Sequence, residues 1–297
     1  MNILVTGSQG QLGNEISSII ETGKAEIGPI SKQCQNYKIF KTDVSELDIC
    51  DLEAARNFCQ INKIDLIINC AAFTNVDGCE TERESAFKVN VIGPRNLAIV
   101  ASEIDAKLVH VSTDYVFSGD ATKPYLESDS CGPKSVYGST KYLGEQYVRE
   151  FCDKYFVVRT SWLYGYIGKN FVKTIIRLAS ERDEIKVVND QRGNPTNAND
   201  LAYHILKIAQ TEEYGIYHCT GEGECTWFDF ATEIIRLMEL GCKVLPCSSS
   251  EFPSPVKRPA YSSLDNMMLR VTVGNKMRDW KMAISEYIKN LKERQLI

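Results

Sequence analysis

A glycine-rich turn directly after an apolar strand limits the folds available to this chain more than any other feature. A strand is predicted over 2–6, and residues 7–13 read GSQGQLG, with glycines at positions 7, 10 and 13. In such a turn the first glycine permits a tight bend, the second lets backbone N–H groups approach a pyrophosphate, and the third allows the next helix to pack closely on the strand. That helix adds the positive end of its dipole. The motif therefore predicts a dinucleotide-binding βα unit.

Strand-like and helix-like segments alternate through the first half of the sequence. Apolar runs typical of strands occupy 25–30, 39–43, 65–72, 107–112 and 155–160. Helical spacing of apolar residues occurs at 13–20, 45–62 and 80–104, the last interrupted near Gly93 and Pro94. Near-continuous apolar strands are typical of a sheet that is covered on both faces. The alternation predicts an α/β fold with a Rossmann-type, doubly wound parallel sheet.

The second half of the sequence is less regular. Helices are predicted over 170–181, 200–210, 228–240 and 278–292, with a polar stretch at 189–199 and a Ser- and Pro-rich stretch at 248–260. We predict an NAD(P)-binding Rossmann domain over 1–165 and a smaller, mainly substrate-binding domain over 166–297. Some segments of the second domain are expected to return to the first, with the substrate in the cleft between the two.

Charge and cysteine content exclude several functional classes. The net charge is −5 and the pI about 5.5, which argues against a nucleic-acid partner. The sequence has no signal-peptide pattern and no apolar run near the roughly 18 residues of a membrane span, so we expect a cytoplasmic protein with no membrane partner. The eleven cysteines include no Cys-x-x-Cys pair, and the three histidines are far apart, so reduced thiols and no metal site are expected.

A tyrosine and a lysine spaced by one helical turn are candidates for catalysis. Tyr137 and Lys141 in YGSTK share one helix face. Delivery of hydride to a carbonyl leaves an alkoxide, and a tyrosine whose pKa is lowered by an adjacent ammonium can protonate it. The spacing alone is common on helices, and Lys141 can also form an ordinary pair with Glu145. Upstream, however, a buried strand ends in Ser112 and Thr113, whose hydroxyls can bond the same carbonyl oxygen. We predict a catalytic group of Thr113, Tyr137 and Lys141.

The expected cofactor is NADPH or NADH. An NAD-specific Rossmann domain commonly ends its second strand with an acid that binds the ribose 2′-OH. The second strand candidate, 25–30, is followed by Ser31 and Lys32, with no acid. Lys32 either accepts a 2′-phosphate or is a solvated charge. We therefore expect NADPH to bind at least as tightly as NADH.

Seven motifs together resemble the dTDP-4-dehydrorhamnose reductases, a family of extended short-chain dehydrogenases. They are the glycine loop, NCAAFTNVDGCE, VHVSTDYVFSG, YGSTKYLGE, RTSWLYG, NDQRGNPT and KRPAYSSLD, from residue 1 to near the C-terminus. The resemblance implies NAD(P)H-dependent reduction of the C4 keto group of dTDP-4-dehydro-L-rhamnose, with Tyr137 as proton donor. It implies that the cofactor contacts Gly7, Gly10, Gln11, Leu12, Gly13, Asp43, Val44, Ala72, Phe73, Thr74 and Lys141, with Asp43 and Val44 near the adenine. It implies that the dTDP-sugar contacts Thr113, Asp114, Tyr137, Trp162 and Arg258, with Asn170 and Gln191 as weaker candidates.

The sequence departs from this family at two places. Phe73 stands where relatives often carry histidine. Some relatives hold magnesium and pair through acidic residues; Glu15 is present here, but Asn199 offers an amide where a carboxylate is expected. The sequence therefore predicts no metal and a monomer or weak homodimer.

Two other functions are compatible with the fold. A sugar-nucleotide dehydratase or epimerase of the same superfamily is less favoured, because Thr113-Asp114-Tyr115 lacks the Glu of the Thr-Asp-Glu run that dehydratases use. A non-catalytic, NADP-binding regulatory subunit resembling the methionine adenosyltransferase beta subunit is the alternative from another class. The intact pair of Tyr137 and Lys141 disfavours it.

Overall fold

A computed structural model describes residues 1–252 and 254–296, and its centre is a six-stranded, fully parallel sheet. The strands are β1 (Asn2–Thr6), β2 (Lys38–Thr42), β3 (Leu66–Asn69), β4 (Lys107–Thr113), β5 (Tyr155–Thr160) and β6 (Gly215–His218). They lie in the order β6-β5-β4-β3-β1-β2. Because the chain runs from β1 outward to β2 and then returns to the other side of β1, a topological switch point lies between β1 and β3.

Helices cover both faces of this sheet, which confirms the predicted doubly wound α/β fold. They are α1 (Gln11–Thr22), α2 (Lys32–Gln35), α3 (Leu52–Ile61), α4 (Val76–Thr81), α5 (Arg83–Phe87), α6 (Gly93–Glu103), α7 (Val136–Phe151), α8 (Phe171–Glu181), α9 (Ala198–Ala209), α10 (Trp227–Met238), α11 (Met267–Val271) and α12 (Trp280–Glu293). Side chains alternate along β1: Ile3 and Val5 pack against α1 and α9, whereas Leu4 packs against α3, α6 and α7. Each face therefore has its own apolar core.

The prediction that 25–30 forms the second strand of the sheet is wrong. This segment contributes to a small antiparallel hairpin, Lys24–Ala25 with Gly28–Pro29, outside the central sheet. Proline has no N–H group to donate to a ladder, so this segment cannot continue as an internal strand. The segment predicted as the third strand is instead β2, which pairs with β1 in register from Asn2 with Lys38 to Thr6 with Thr42.

Two predicted helices are shorter or broken in the structure. The helix predicted over 45–62 begins only at Leu52, because the Asp51 side chain accepts a hydrogen bond from Ala54 N and caps it there. The helix predicted over 80–104 consists of three segments, α5, a π-helical turn at Lys88–Ile92 and α6. Asn90 in the π-helical turn is fully buried and holds the backbone of Phe73 by two hydrogen bonds. Such turns often lie at functional sites.

The second half of the chain forms a separate apolar core around α8, α10 and α12. The helices predicted in this half correspond to α8, α9, α10 and α12 within about two residues at each end. Short two-stranded sheets join Glu184–Val188 to Lys243–Cys247, Leu163–Tyr164 to Thr196–Asn197 and Arg192–Gly193 to Cys225–Thr226. β6, however, lies at the edge of the central sheet beside β5. The division at residue 165 stays a prediction.

Within residues 1–252 and 254–296, no helix combines the length and the apolar character needed to cross a membrane. All eleven cysteines are free thiols in the structure.

Candidate active site

A cavity of about 730 Å³ opens at the carboxyl ends of β1, β3 and β4, at the topological switch point. Its volume lies in the range typical of small-molecule sites. Most of the predicted site residues line it: Gly7, Gly10, Gln11, Leu12, Gly13, Asp43, Val44, Ala72, Thr74, Thr113, Asp114, Tyr137, Lys141 and Trp162. The fold thus brings the glycine loop and the Tyr137–Lys141 helix to the same cavity.

The glycine loop leaves no space for side chains at two of its glycines. Gly7 has φ +62°, and a Cβ there would lie 2.7 Å from Ala71 N. A Cβ on Gly13 would lie 2.4 Å from the Gly7 carbonyl oxygen. The missing side chains let the loop pass closely beside the segment after β3 and let α1 begin directly against β1. The N-terminal N–H groups of α1 are then available to an anion in the cavity.

Gln11 connects this loop to the second half of the chain. Its Oε1 atom accepts hydrogen bonds from Gly165 N at 2.8 Å and from Asn170 Nδ2 at 3.0 Å. Asn170 also caps α8 through Lys173 N. Asn170, a weak substrate candidate, is therefore engaged in positioning Gln11 and α8.

Close packing places Tyr137 at the cavity. The Ser135 side chain caps α7 through Gly138 N, and a Cβ on Gly138 would lie 2.2 Å from Tyr115 O. The Tyr115 ring meets the Tyr137 ring edge-on at 5.4 Å between centroids. Burial raises the pKa of Tyr137, and a hydrogen bond with Thr113 opposes this rise. Burial therefore opposes the expected lowering of the tyrosine pKa in the free protein, and the protonated phenol is able to donate.

Lys141 is buried one turn further along α7. Its Nζ atom donates to Val111 O at 2.7 Å and lies 3.5 Å from His110 Nε2. Burial lowers the pKa of Lys141 to about 8, although Glu145 and Cys70 act in the opposite direction. A lysine with this pKa can change its charge near neutral pH.

The expected pair of Lys141 with Glu145 is replaced by a buried ion pair. Glu145 Oε2 accepts from Arg159 Nη2 at 2.8 Å, and Glu145 Oε1 accepts from Arg159 Nε at 3.0 Å and from the Ser112 hydroxyl. The side chains of Arg159 and Glu145 are 2% and 1% exposed. Glu145 pairs with the Arg159 guanidinium because a buried charge is strongly destabilising unless an opposite charge compensates it. Ser112 accordingly binds Glu145 at the end of β4.

Asp114 presents an unsatisfied polar atom beside the cavity. Its Oδ1 accepts from the Thr113 hydroxyl at 2.9 Å, whereas its buried Oδ2 has no hydrogen-bond partner. Burial raises the pKa of Asp114 to about 6, and the side chains of Ser262 and Thr113 oppose the rise. A carboxyl oxygen in this state is suited to a hydrogen bond with a ligand hydroxyl.

Trp162 has an unusual backbone and an aromatic partner that the sequence did not reveal. Its φ is +46°, which is rare for a bulky residue. Its ring stacks on Trp227 with centroids 3.4 Å apart and planes inclined by 5°. Both rings line the cavity. Trp227 is the first residue of α10, and no pattern distinguishes it from a core aromatic.

Five predicted residues lie outside the main cavity, among them Asn170 with the contacts given above. Phe73 does not line it, and its backbone N–H donates to Asn90 Oδ1. Gln191 donates to Ser249 Oγ instead. Arg258 lines a small cavity of about 80 Å³ with Lys134 and Lys257, and its guanidinium lies 3.4 Å from Asp77. Lys32 begins α2 after the hairpin and is exposed.

An acidic residue does follow the second strand of the central sheet, although none follows the segment 25–30 that was predicted as that strand. β2 ends at Thr42, so the residue after the second strand of the sheet is Asp43. Ser8 N donates to Thr42 O at 3.1 Å, and Gln9 N lies 3.4 Å from Asp43 Oδ2, which holds the carboxylate against the glycine loop. Asp48 and Ile49, missed by the sequence analysis, line the cavity beyond it. Lys32 is exposed and does not line the cavity, so of its two interpretations the solvated charge is favoured over a contact with a 2′-phosphate.

Known proteins resemble this chain along its whole length. Residues 1–293 match the RmlD substrate binding domain family. A dTDP-4-dehydrorhamnose reductase of Clostridium acetobutylicum is 47% identical, with a TM-score of 0.93 over 98% of this chain and 100% of that chain. The enzyme of that name from Bacillus anthracis, solved in complex with NADP, is 40% identical, with a TM-score of 0.91 over 97% and 99% of the two chains.

A third relative is the spore coat polysaccharide biosynthesis protein SpsK of Bacillus subtilis. It is 37% identical over 286 residues, which cover 96% of each chain. These similarities confirm the resemblance that the motifs indicated. On its sequence, its sheet and its glycine loop, the chain belongs to the RmlD substrate binding domain family.

Proposed function

We propose that this protein reduces the C4 keto group of dTDP-4-dehydro-L-rhamnose to give dTDP-L-rhamnose, using NADPH or NADH. The observation that carries this proposal is that Thr113, Tyr137 and Lys141 line the same cavity as the glycine loop. The names of the similar enzymes support the substrate, and the NADP complex of the Bacillus anthracis relative supports the cofactor class.

The cavity fits a nicotinamide dinucleotide. Gly7, Gly10 and Gly13 line the cavity with backbone and no side chain, and α1 offers N–H groups to the pyrophosphate. When bound, NAD(P)H supplies a hydride for the carbonyl carbon. Tyr137 gives its proton to the carbonyl oxygen, and Thr113 orients the tyrosine hydroxyl. The orphaned Asp114 Oδ2 is available to a sugar hydroxyl.

A spectrophotometric assay tests the proposed function. Oxidation of NADH or NADPH should depend on dTDP-4-dehydro-L-rhamnose and should yield dTDP-L-rhamnose. Cofactor binding without oxidation would favour the regulatory subunit. Conversion of a dTDP-hexose without net cofactor oxidation would favour a dehydratase or epimerase.

The position of Asp43 reverses the expectation that NADPH binds at least as tightly as NADH, and we predict a preference for NADH. The Asp43 carboxylate beside the glycine loop can accept from ribose hydroxyls but repels a 2′-phosphate. Asp43→Asn should therefore improve NADPH binding relative to NADH by roughly tenfold, or about 1.4 kcal/mol. Lys32→Ala is the matched control and should leave both affinities unchanged. Fluorescence titration with each cofactor measures the ratio; tighter NADPH binding by the parent protein would contradict this prediction.

We also predict that turnover needs no added metal. The Asn199 amide donates to Glu15 Oε2 at 2.8 Å, so this carboxylate is engaged within the chain. Within residues 1–252 and 254–296, no group of three or more acidic, histidine or cysteine side chains is arranged to hold a metal. Activity should survive exhaustive chelation. A loss that magnesium specifically restores would contradict the prediction.

We further propose that the protein works in the cytoplasm as a monomer or weak homodimer, acting on the dTDP-sugar with neither nucleic acid nor membrane as a partner. Its eleven free thiols support a reducing compartment. Sedimentation at several concentrations tests the oligomeric state.

A further inference from the structure

Behind Lys141 lies a chain of buried polar side chains that the catalytic group does not include. It runs from Thr6 on β1 through Asn69 on β3 to His110 on β4, and ends at the lysine amine. Thr6, Asn69, His110 and Lys141 are at most 2% exposed. Buried polar groups with fixed partners have few alternative arrangements, so the direction of each hydrogen bond can be derived.

A backbone amide fixes the orientation of Asn69. Ala71 N lies 3.1 Å from Asn69 Oδ1, and since a backbone N–H can only donate, this atom is the carbonyl oxygen. The Thr6 hydroxyl also donates to it, at 2.7 Å. The other side-chain atom of Asn69 is therefore its NH₂ group, which lies 3.1 Å from His110 Nδ1 and donates to it.

The asparagine in turn fixes the tautomer of His110. Nδ1 accepts a hydrogen bond and carries no proton, so the neutral ring carries its proton on Nε2. Burial lowers the pKa of His110 far below its usual range, which keeps the ring neutral. The Nε2–H group therefore faces Lys141 Nζ, 3.5 Å away.

A donor in this position favours one form of the lysine. An ammonium group would meet the imidazole N–H donor to donor, whereas a neutral amine can accept from it and still donate to Val111 O. We propose that His110 is a positioning residue whose Nε2–H group, fixed by Asn69, stabilises the neutral amine of Lys141 in the free enzyme. The part of this inference that concerns catalysis rests on the proposed function.

Other charged and titratable groups face the same lysine. Glu145 and Tyr137 lie on its own helix, Cys70 follows β3, and His110 lies on β4. Glu145 is bound by Arg159, which reduces its pull on the ammonium. Burial lowers the pKa of Lys141 to about 8, and the His110 N–H group acts in addition to that burial. Below that pH the ammonium forms, and above it the amine is neutral.

The other two histidines provide an internal control for the tautomer. His204 Nδ1 lies 2.8 Å from Asp200 O, and its Nε2 accepts from Lys276 N. His218 Nδ1 lies 3.1 Å from Tyr125 O. Since carbonyl oxygens only accept, both rings carry the proton on Nδ1. His110 is therefore expected to differ from both.

Proton–nitrogen correlation spectra of the histidine-labelled protein test this assignment directly. Two of the three rings should show the Nδ1–H tautomer and one the Nε2–H tautomer, and His110→Phe should remove the latter signal. A His110 ring with its proton on Nδ1, or a cationic ring, would overturn the proposal. This measurement uses the free protein, so it is independent of whether the dTDP-sugar is the substrate.

A kinetic test examines the effect on Lys141. Asn69→Asp replaces the donating amide by an accepting carboxylate, which moves the His110 proton to Nδ1 and turns Nε2 into an acceptor for the ammonium. The alkaline limb of kcat/KM for the cofactor, which reports the free enzyme, should move up by roughly one pH unit.

The same substitution in a His110→Phe background measures the effect of the new charge alone. It should shift the alkaline limb clearly less than in the parent protein. Equal shifts in the two backgrounds would overturn the role of His110. A uniform loss of activity with the limb unmoved would also overturn it, because that result indicates a purely structural role.

Discussion

Tyr137→Phe should slow reduction of the 4-keto sugar by roughly 10²–10⁴-fold, the usual contribution of a positioned general acid. Burial keeps the phenol protonated, and no other hydroxyl on α7 lines the cavity among the described residues. The loss should appear mainly in kcat, because the proton is transferred only in the transition state. Cofactor affinity should change little, since the glycine loop is untouched.

Tyr147→Phe is the matched control on the same helix. Its ring packs against Phe151 on the far side from the cavity, with centroids 6.0 Å apart. Steady-state kinetics of the two variants on dTDP-4-dehydro-L-rhamnose should separate them clearly. If Tyr137→Phe retained turnover within about threefold of the parent, far below a general-acid effect, the proposed proton donor would be wrong.

Glu145→Gln should destabilise the fold by about 3–5 kcal/mol, because it leaves the buried charge of Arg159 without its partner. Urea unfolding monitored by circular dichroism measures this loss. Glu150→Gln, an exposed site on α7, should change stability by less than about 0.5 kcal/mol.

A second variant separates the cost of an unpaired charge from the value of the ion pair. Replacing both partners, as Glu145→Leu with Arg159→Met, should recover most of the lost stability, since buried pairs contribute little beyond an apolar packing of similar volume. If the double variant were less stable than Glu145→Gln, the ion pair itself would be the source of stability.

The sequence predicts those parts of the fold whose pattern is local and strong. The buried runs that became β3, β4 and β5 and the amphipathic helices α8 and α10 were placed correctly, because burial on both faces or on one stripe leaves a clear pattern. β2 was misnumbered: as an edge strand it has only one fully buried residue, and the apolar segment at 25–30 gave an equally good signal. Only the pairing with β1 shows which of these two segments is the second strand of the sheet. Because the sequence pattern favoured 25–30, Asp43 was not identified as the acid that follows the second strand.

The candidate site was predictable where one motif supplies several contacts. The spacing of the glycines predicts the tight turn between strand and helix, and the spacing of Tyr137 and Lys141 predicts that both lie on one helix face. Contacts between segments that are distant in the sequence cannot be predicted from the spacing within one motif. Examples are the stacking of Trp227 on Trp162, the ion pair of Glu145 with Arg159 and the approach of His110 to Lys141, which each depend on the packing of separate elements.

The position of β6 bears on how the protein is synthesised and how it unfolds. α1 lacks the apolar cover of α9 until residue 209 has been made, and the outer edge of β5 lacks its ladder partner until residues 215–218 have been made. A nascent chain that contains only the glycine-loop half therefore exposes an open strand edge beside an uncovered helix, an arrangement prone to aggregation. Because the same helix presents the dinucleotide cradle, cofactor binding should protect both halves together, and heating should melt them in one transition whose midpoint rises with cofactor concentration.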